Sequence, residues 1–183
     1  RKLSSGISSA VGFKNNVDGG LMVAVNAIRS ASATNSFISV TEEGKVAMFR
    51  TGGNPHCHVI LRGGKSPNYD AASVAACEEE LQKAGLIENV MIDCSHGNSN
   101  KDHCNQKLVL DEVAQQINSG NKSIIGVMVE SNLEEGNQPI PDDLDDLKYG
   151  VSITDACIDW STTETVLREF AGSLSESLRS RAV

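Results

Sequence analysis

An α/β fold, with parallel strands arranged as in a (β/α) barrel, is what this sequence predicts. Two observations carry that expectation. Four short apolar runs each close on a polar residue: Val11-Gly12-Phe13-Lys14, His58-Val59-Ile60-Leu61-Arg62, Val90-Met91-Ile92-Asp93-Cys94-Ser95-His96, and Ile124-Ile125-Gly126-Val127-Met128-Val129-Glu130. Each is followed by a loop containing Gly or Asn and then by a helical pattern. The intervals from Arg62 to His96 and from His96 to Glu130 are equal, and each is about the length of one βα unit.

In chain order, residues 1–10 read as the end of a helix turning at Gly6, and the first strand is Val11–Lys14. The turn-forming loop Asn15-Asn16-Val17-Asp18-Gly19-Gly20 leads to a helix over 21–31, with Leu21, Val25 and Ile28 on one face. Residues 36–51 break the βα rhythm and read as a hairpin turning at Glu42-Glu43-Gly44-Lys45. The hairpin serves either regulation and assembly or structure alone. After the second strand, Asp70 caps a helix reaching about Ala84, with Gly85 just past its end. A helix over about 103–118 follows the third strand. The stretch from Glu130 to Asp155 is the longest loop, rich in acids and prolines, and a loop of that length is either functional or mobile. A last helix is expected from about Thr162, with Ser161-Thr162-Thr163-Glu164 as a capping box.

The 183 residues suffice for one domain with a sizeable core but are short for eight βα units, which take about 250. A first residue Arg1, not Met, raises the expectation of a fragment or a processed product. The net charge of −8 argues against bulk nucleic-acid binding, though a local Lys/Arg cluster can still hold an anion. Five cysteines with no CxxC spacing point to reduced thiols in the cytoplasm. No apolar stretch approaches the roughly 18 residues that cross a membrane, and no signal peptide is visible.

A parallel barrel carries its chemistry at the C-terminal ends of its strands, so Lys14, Arg62, His96 and Glu130 should meet at one mouth. Joined by Asp155, His96 and Glu130 would make an imidazole-and-carboxylate set suited to Mn, Fe, Co or Zn. Spacing alone does not separate this from unrelated polar residues at strand ends. Lys14 and Arg62 suit a phosphate or carboxylate, or else pair with neighbouring acids. His56 and His58 sit at the opposite end of their strand and read as structural or exposed, as does His103-Cys104 near a helix start. Cys94 reads as a buried thiol and the acidic run 142–146 as a solvated loop.

Six segments carry a resemblance: Gly12-Phe13-Lys14-Asn15, Leu61-Arg62-Gly63-Gly64-Lys65, the run from Met91 to Lys101, Gly126-Val127-Met128-Val129-Glu130-Ser131, Glu135-Gly136-Asn137-Gln138, and the run from Tyr149 to Ile158. Together they resemble, in order and over essentially the whole chain, the C-terminal half of the microbial class I 3-deoxy-D-arabino-heptulosonate 7-phosphate (DAHP) synthases. The resemblance implies a (β/α)8 TIM-barrel fold, of which residues 1–183 are about the last four βα units of a single catalytic domain, with a hairpin insertion at about 36–51. It implies condensation of phosphoenolpyruvate with erythrose 4-phosphate, the first step of the shikimate pathway. Lys14 and Arg62 match the phosphoenolpyruvate-binding positions, and His96, Glu130 and Asp155 match three metal-ligand positions. Leu3, Ile7, Ser8 and Phe37 match or adjoin an effector site for an aromatic amino acid. A homo-oligomer is implied for the parent enzyme.

The family's N-terminal half, with a cysteine metal ligand, further arginines and a Lys-Pro-Arg-Thr segment for the sugar phosphate, has no match here, so this half alone is expected to be weakly active or inactive. The family usually has Asn-Gly-Thr-Asp-Gly-Thr where residues 15–20 stand, and a residue and then proline where Ser9-Ala10 stand. A competing reading is a non-catalytic metal- or anion-binding half barrel, or an assembly module, since four βα units leave open sheet edges. A weaker one is a related synthase acting on arabinose 5-phosphate, against which the run 149–158 speaks.

Overall fold

A computed structural model of the chain describes residues 2–181. Four strands, β1 (Val11–Lys14), β4 (Cys57–Leu61), β5 (Val90–Asp93) and β6 (Ile124–Met128), form one parallel sheet in the order β1-β4-β5-β6. Strands β2 (Asn35–Val40) and β3 (Val46–Thr51) pair antiparallel in a separate two-stranded sheet. Between the parallel strands run α1 (Met22–Ser32), α2 (Ala71–Lys83) and α3 (Gln106–Asn118), and α4 (Trp160–Arg181) closes the chain. This is the α/β class with a parallel sheet that the apolar runs predict.

The sheet's central strand shows why those runs lack alternation. All five residues of β4 are buried, because helices cover one face and neighbouring side chains the other. Helix α1 buries Ala24, Val25, Ala27, Ile28 and Ala31, the stripe expected of 3.6 residues per turn. Helix α2 begins where Asp70 accepts from the backbone N–H groups of Ala72 and Ser73, and ends at Gly85 with φ of +68°, as its sequence signals require. Val74, Cys77, Leu81, Val109, Leu110 and Val113 join Val59, Leu61, Val90 and Ile92 in one core. Burial pushes the Cys77 thiol up to about 12 and keeps it protonated. Gly12 makes room on β1: a Cβ there would stand 2.4 Å from Ile60 and 2.7 Å from His58 Nε2. No helix among the described residues is long and apolar enough to cross a membrane.

Three boundaries differ from expectation. Among the described residues before β1, regular structure is limited to a 3-10 turn, Ser4–Gly6, fixed to the hairpin by a 2.6 Å hydrogen bond between the Ser5 and Thr51 hydroxyls. Strand β5 ends at Asp93, because from there the backbone folds into a tight turn in which His96 takes φ of +50°. Helix α4 starts at Trp160, so Ser161 lies inside it; the cap is made instead by Asp159, whose Oδ1 accepts from the Thr162 N–H and the Ser161 hydroxyl. Cys57, Cys77, Cys94 and Cys157 are buried free thiols and Cys104 is an exposed one.

Candidate metal and anion site

All four polar residues that close the apolar runs sit at or just past the C-terminal end of a parallel strand. Lys14 is the last residue of β1, Arg62 follows β4, His96 lies in the turn after β5, and Glu130 lies just beyond β6. The loop between β6 and α4 brings Asp155 back to the same end through a short pairing: Gly136 donates to the Cys157 carbonyl at 2.9 Å, and Cys157 donates back at 3.1 Å. A cavity of about 490 Å³ opens there, lined by Arg62, Ser95, His96, Lys101, His103, Glu130, Asn137, Asp155 and Ala156.

His96 Nε2 stands 3.5 Å from Glu130 Oε1 and 3.5 Å from Asp155 Oδ2. One donor atom from each of the three residues lies within 4.8 Å of the others. Bond lengths of about 2.0–2.2 Å to nitrogen and oxygen put the ligands of a tetrahedral ion roughly 3.3–3.6 Å apart, which the two 3.5 Å separations match. Local charge agrees, since two carboxylates face one imidazole. Glu130 and His96 are partly buried, whereas the Asp155 side chain is 68% exposed.

Behind His96 sits a residue that the sequence reasoning did not single out as functional. Asp93 is fully buried, and its Oδ2 accepts from Lys14 Nζ at 2.7 Å and lies 2.8 Å from His96 Nδ1. The second contact is close but not aligned with the ring N–H, which leaves His96 Nδ1 buried without a directed hydrogen bond. An outer carboxylate beside the far ring nitrogen is the arrangement that orients a metal-binding histidine. Asp93 Oδ1 also accepts from the Ser95 N–H, and the Ser95 hydroxyl donates to Glu130 Oε2 at 2.5 Å. The signal was present in the sequence: an acid inside an apolar run must find a cation or several donors, or it would not be buried charged.

Glu130 is held by its backbone as well. The fully buried Gln106 donates from Nε2 to the Glu130 carbonyl at 2.9 Å and accepts the Glu130 N–H at 2.8 Å. Arg62 is placed by Asn15, whose Oδ1 accepts the Arg62 N–H at 2.8 Å while its Nδ2 donates to the Gly63 carbonyl at 2.9 Å. Asn98 ties β4 to β5 by donating to the carbonyls of Leu61 and Asp93. Gly63 has φ of +76°, and a Cβ there would stand 2.5 Å from the Gly97 carbonyl carbon. Gly64 is as close to Gly19. The loops after β1, β4 and β5 therefore meet backbone to backbone.

Cys94 is a fully buried thiol, and burial and the adjacent Asp93 carboxylate push it up to about 12. His58 is buried within β4 and His56 is exposed, away from the cavity, as expected. His103 differs from expectation, because it lines the cavity. Of the residues matched to an effector site, Leu3, Ile7 and Ser8 are exposed, and Phe37 stacks on Phe49 at 6.2 Å between ring centres. None of the four lines the cavity at His96.

The sequence profile of the DAHP synthetase I family matches residues 1–168. The Tyr-sensitive phospho-2-dehydro-3-deoxyheptonate aldolase of Salmonella typhimurium is 52% identical over 181 residues, which is 99% of this chain and 51% of that protein. The Phe-sensitive enzyme of Escherichia coli K12 is 53% identical over 174 residues, 95% of this chain and 49% of that protein. Among solved structures, the phospho-2-dehydro-3-deoxyheptonate aldolase of Francisella tularensis superposes with a TM-score of 0.88 at 45% identity, covering 95% of this chain and 50% of that one. The chain thus spans about half the length of the curated relatives it matches.

Proposed function

The chain belongs to the DAHP synthetase I family, and from that premise we propose that it supplies the histidine-carboxylate side of an active site that condenses phosphoenolpyruvate, erythrose 4-phosphate and water to DAHP and phosphate. In this reading residues 1–183 form the last four βα units of a (β/α)8 barrel catalytic domain, with the β2–β3 hairpin as an insertion. The observation that carries it is the convergence of His96, Glu130 and Asp155 with Arg62 around one cavity at the C-terminal end of the sheet, with Lys14 joined to His96 through Asp93.

His96, Glu130 and Asp155 would hold the divalent ion, with Mn, Fe, Co and Zn all compatible with their donor atoms. The chemistry such an ion supplies is Lewis-acid polarisation of the sugar aldehyde. Arg62 offers a planar fork to the phosphate or carboxylate of phosphoenolpyruvate. Lys14 gives a point charge whose position is set by Asp93, so the cation is fixed before substrate arrives. Asp93 holds His96 from behind, and Ser95 and Gln106 hold Glu130 by side chain and by backbone. The reaction needs this fixed geometry, because charge develops on the aldehyde oxygen as the C–C bond forms and on the phosphate as it leaves after water has added at C2, and prearranged charges stabilise both without reorganising.

The test is phosphate release from phosphoenolpyruvate plus erythrose 4-phosphate in the presence of manganese. The 183 residues alone should give little turnover, and the native-length protein full turnover that His96→Ala abolishes together with manganese binding. Full turnover by His96→Ala would sink the assignment. By the same reading the protein is cytoplasmic and homo-oligomeric, and an aromatic amino acid acts near Leu3, Ile7, Ser8 and Phe37, the relatives above being named for tyrosine and phenylalanine sensitivity. A second reading, a non-catalytic half barrel that pairs with other chains, draws on the sheet order, in which β1 and β6 each have one unpaired edge.

A further inference from the structure

Beside the cavity lies a second set of metal-binding atoms that the proposed reaction does not use. His103 Nε2 and Glu135 Oε1 are 2.9 Å apart. Cys104 Sγ is 3.6 Å from that same oxygen and 3.7 Å from that nitrogen. Nitrogen, oxygen and sulfur thus form a closed triangle from two separate segments, the 3-10 turn His103–Asn105 that leads into α3 and the loop after β6. An Asp102 carboxylate oxygen lies within 4.8 Å of the histidine and cysteine donors.

The triangle has the size of a tetrahedral face around zinc. With zinc bonds of about 2.0–2.3 Å, ligand atoms stand roughly 3.3–3.6 Å apart, the longer separations involving sulfur. The two sulfur edges already match, and the nitrogen-oxygen edge would open by a few tenths of an ångström as a hydrogen bond is exchanged for two metal bonds. The electrostatics also call for a cation. Among the described residues the one basic side chain within salt-bridge distance of Glu135 is His103, and Lys107 is engaged by Asp111 and Glu169. A thiol that enters a metal site gives up its proton, so binding here would release one.

We propose that His103, Cys104 and Glu135 form a second divalent-metal site, selective for zinc through its thiolate, at the rim of the cavity that holds His96. This rests on the triangle alone and stands whether or not the chain takes part in DAHP synthesis. Its consequence for the neighbouring site is mechanical. Glu135 adjoins Gly136, which is hydrogen-bonded in both directions to Cys157, two residues after Asp155. An ion joining Glu135 to the turn that leads into α3 would brace the segment that presents the exposed Asp155. His103, which lines the cavity, would be fixed at the same time. Zinc at the rim therefore sets how firmly Asp155 is held.

The experiment uses the native-length protein in a His96→Ala background, which disables the first site, and measures zinc bound per chain by equilibrium dialysis. The cobalt form is examined in parallel for a thiolate-to-metal charge-transfer absorption. One zinc per chain and the absorption are expected in His96→Ala. Adding Cys104→Ser should remove the absorption and weaken zinc binding by more than the roughly 10- to 100-fold that loss of an outer-sphere partner costs. Cys104 is exposed, so the serine variant should fold, and circular dichroism checks that it does. Equal zinc affinity in His96→Ala with and without Cys104→Ser overturns the proposal, as does a His96→Ala protein that binds no zinc.

Discussion

Replacing Gln106 by leucine separates the support of Glu130 from the filling of space. The two side chains are close in volume, so little cavity forms, and what is lost is one donor and one acceptor. In the structure these pair with the Glu130 carbonyl at 2.9 Å and the Glu130 N–H at 2.8 Å, between a fully buried Gln106 side chain and a partly buried Glu130. A buried backbone group left unpaired costs about 1–3 kcal/mol. Two such groups set an upper figure of about 6 kcal/mol, and local opening that lets water reach one of them brings the expectation to about 2–4 kcal/mol. Urea denaturation of parent and variant reads this directly, as a lower midpoint at unchanged slope. The loss should not stop at stability. With its backbone free, Glu130 no longer holds its carboxylate against His96, and manganese affinity should drop about 10- to 100-fold, as it does when outer partners of metal ligands are removed. A Gln106→Leu protein within about 0.5 kcal/mol of the parent, with unchanged manganese affinity, would refute the claim that Gln106 positions Glu130.

Asp93→Asn should destabilise by about 1–3 kcal/mol and loosen both neighbours at once. The figure is below that for a fully dry pair because the Lys14 side chain is 35% exposed. A rise in the Michaelis constant for phosphoenolpyruvate together with weaker manganese binding is the expected kinetic signature, and a change in neither argues against the shared anchor. Gly63→Ala combines an unfavourable φ of +76° with a Cβ 2.5 Å from backbone, so thermal unfolding should show a loss of more than about 2 kcal/mol, whereas a neutral result would mean that the loop can shift freely. His58 should leave a mark on pH dependence. Burial lowers its pKa below the ordinary 6.5, so the unfolded chain takes up the proton first as pH falls. Its share of stability is therefore complete above about 6.5 and is lost as pH drops toward the folded value. His58→Gln should flatten the decline in the urea midpoint between about pH 7 and pH 5, and an unchanged decline would assign that proton to another group.

Periodicity and breakers revealed the fold where each element depends on its own residues. The apolar runs marked β1, β4, β5 and β6, and Asp70 and Gly85 marked both ends of α2, because caps and buried strands are local chemistry. The start of α4 differs from the expectation because Asp159 and Ser161 are both competent caps, and only the fold decides which one meets the free N–H groups. Strand β5 is shorter than its apolar run because Cys94 and Ser95 look like strand residues, while hydrogen bonds from Ser95 turn the chain. The site was legible as a set of strand-end residues, His96, Glu130, Arg62 and Lys14, since parallel topology sends them all to one end. Gln106 was not legible: glutamine at a helix start ordinarily faces water, and its burial follows from the position of β6. The same holds for His103 with Glu135, which are joined only when the loop after β6 folds back.

The contact of Gly63 with Gly97 has a consequence for how far this region tolerates change. With no side chain between them, the separation of the Arg62 loop from the His96 loop is set by the thickness of two peptide units, and it is latched by the Gly97 N–H on the Arg62 carbonyl at 3.0 Å. A gauge made of main chain has no rotamers and no volume that substitution elsewhere can alter. Replacements in the helices behind the sheet can therefore accumulate and shift the core by fractions of an ångström while the spacing between the guanidinium loop and the imidazole loop stays the same.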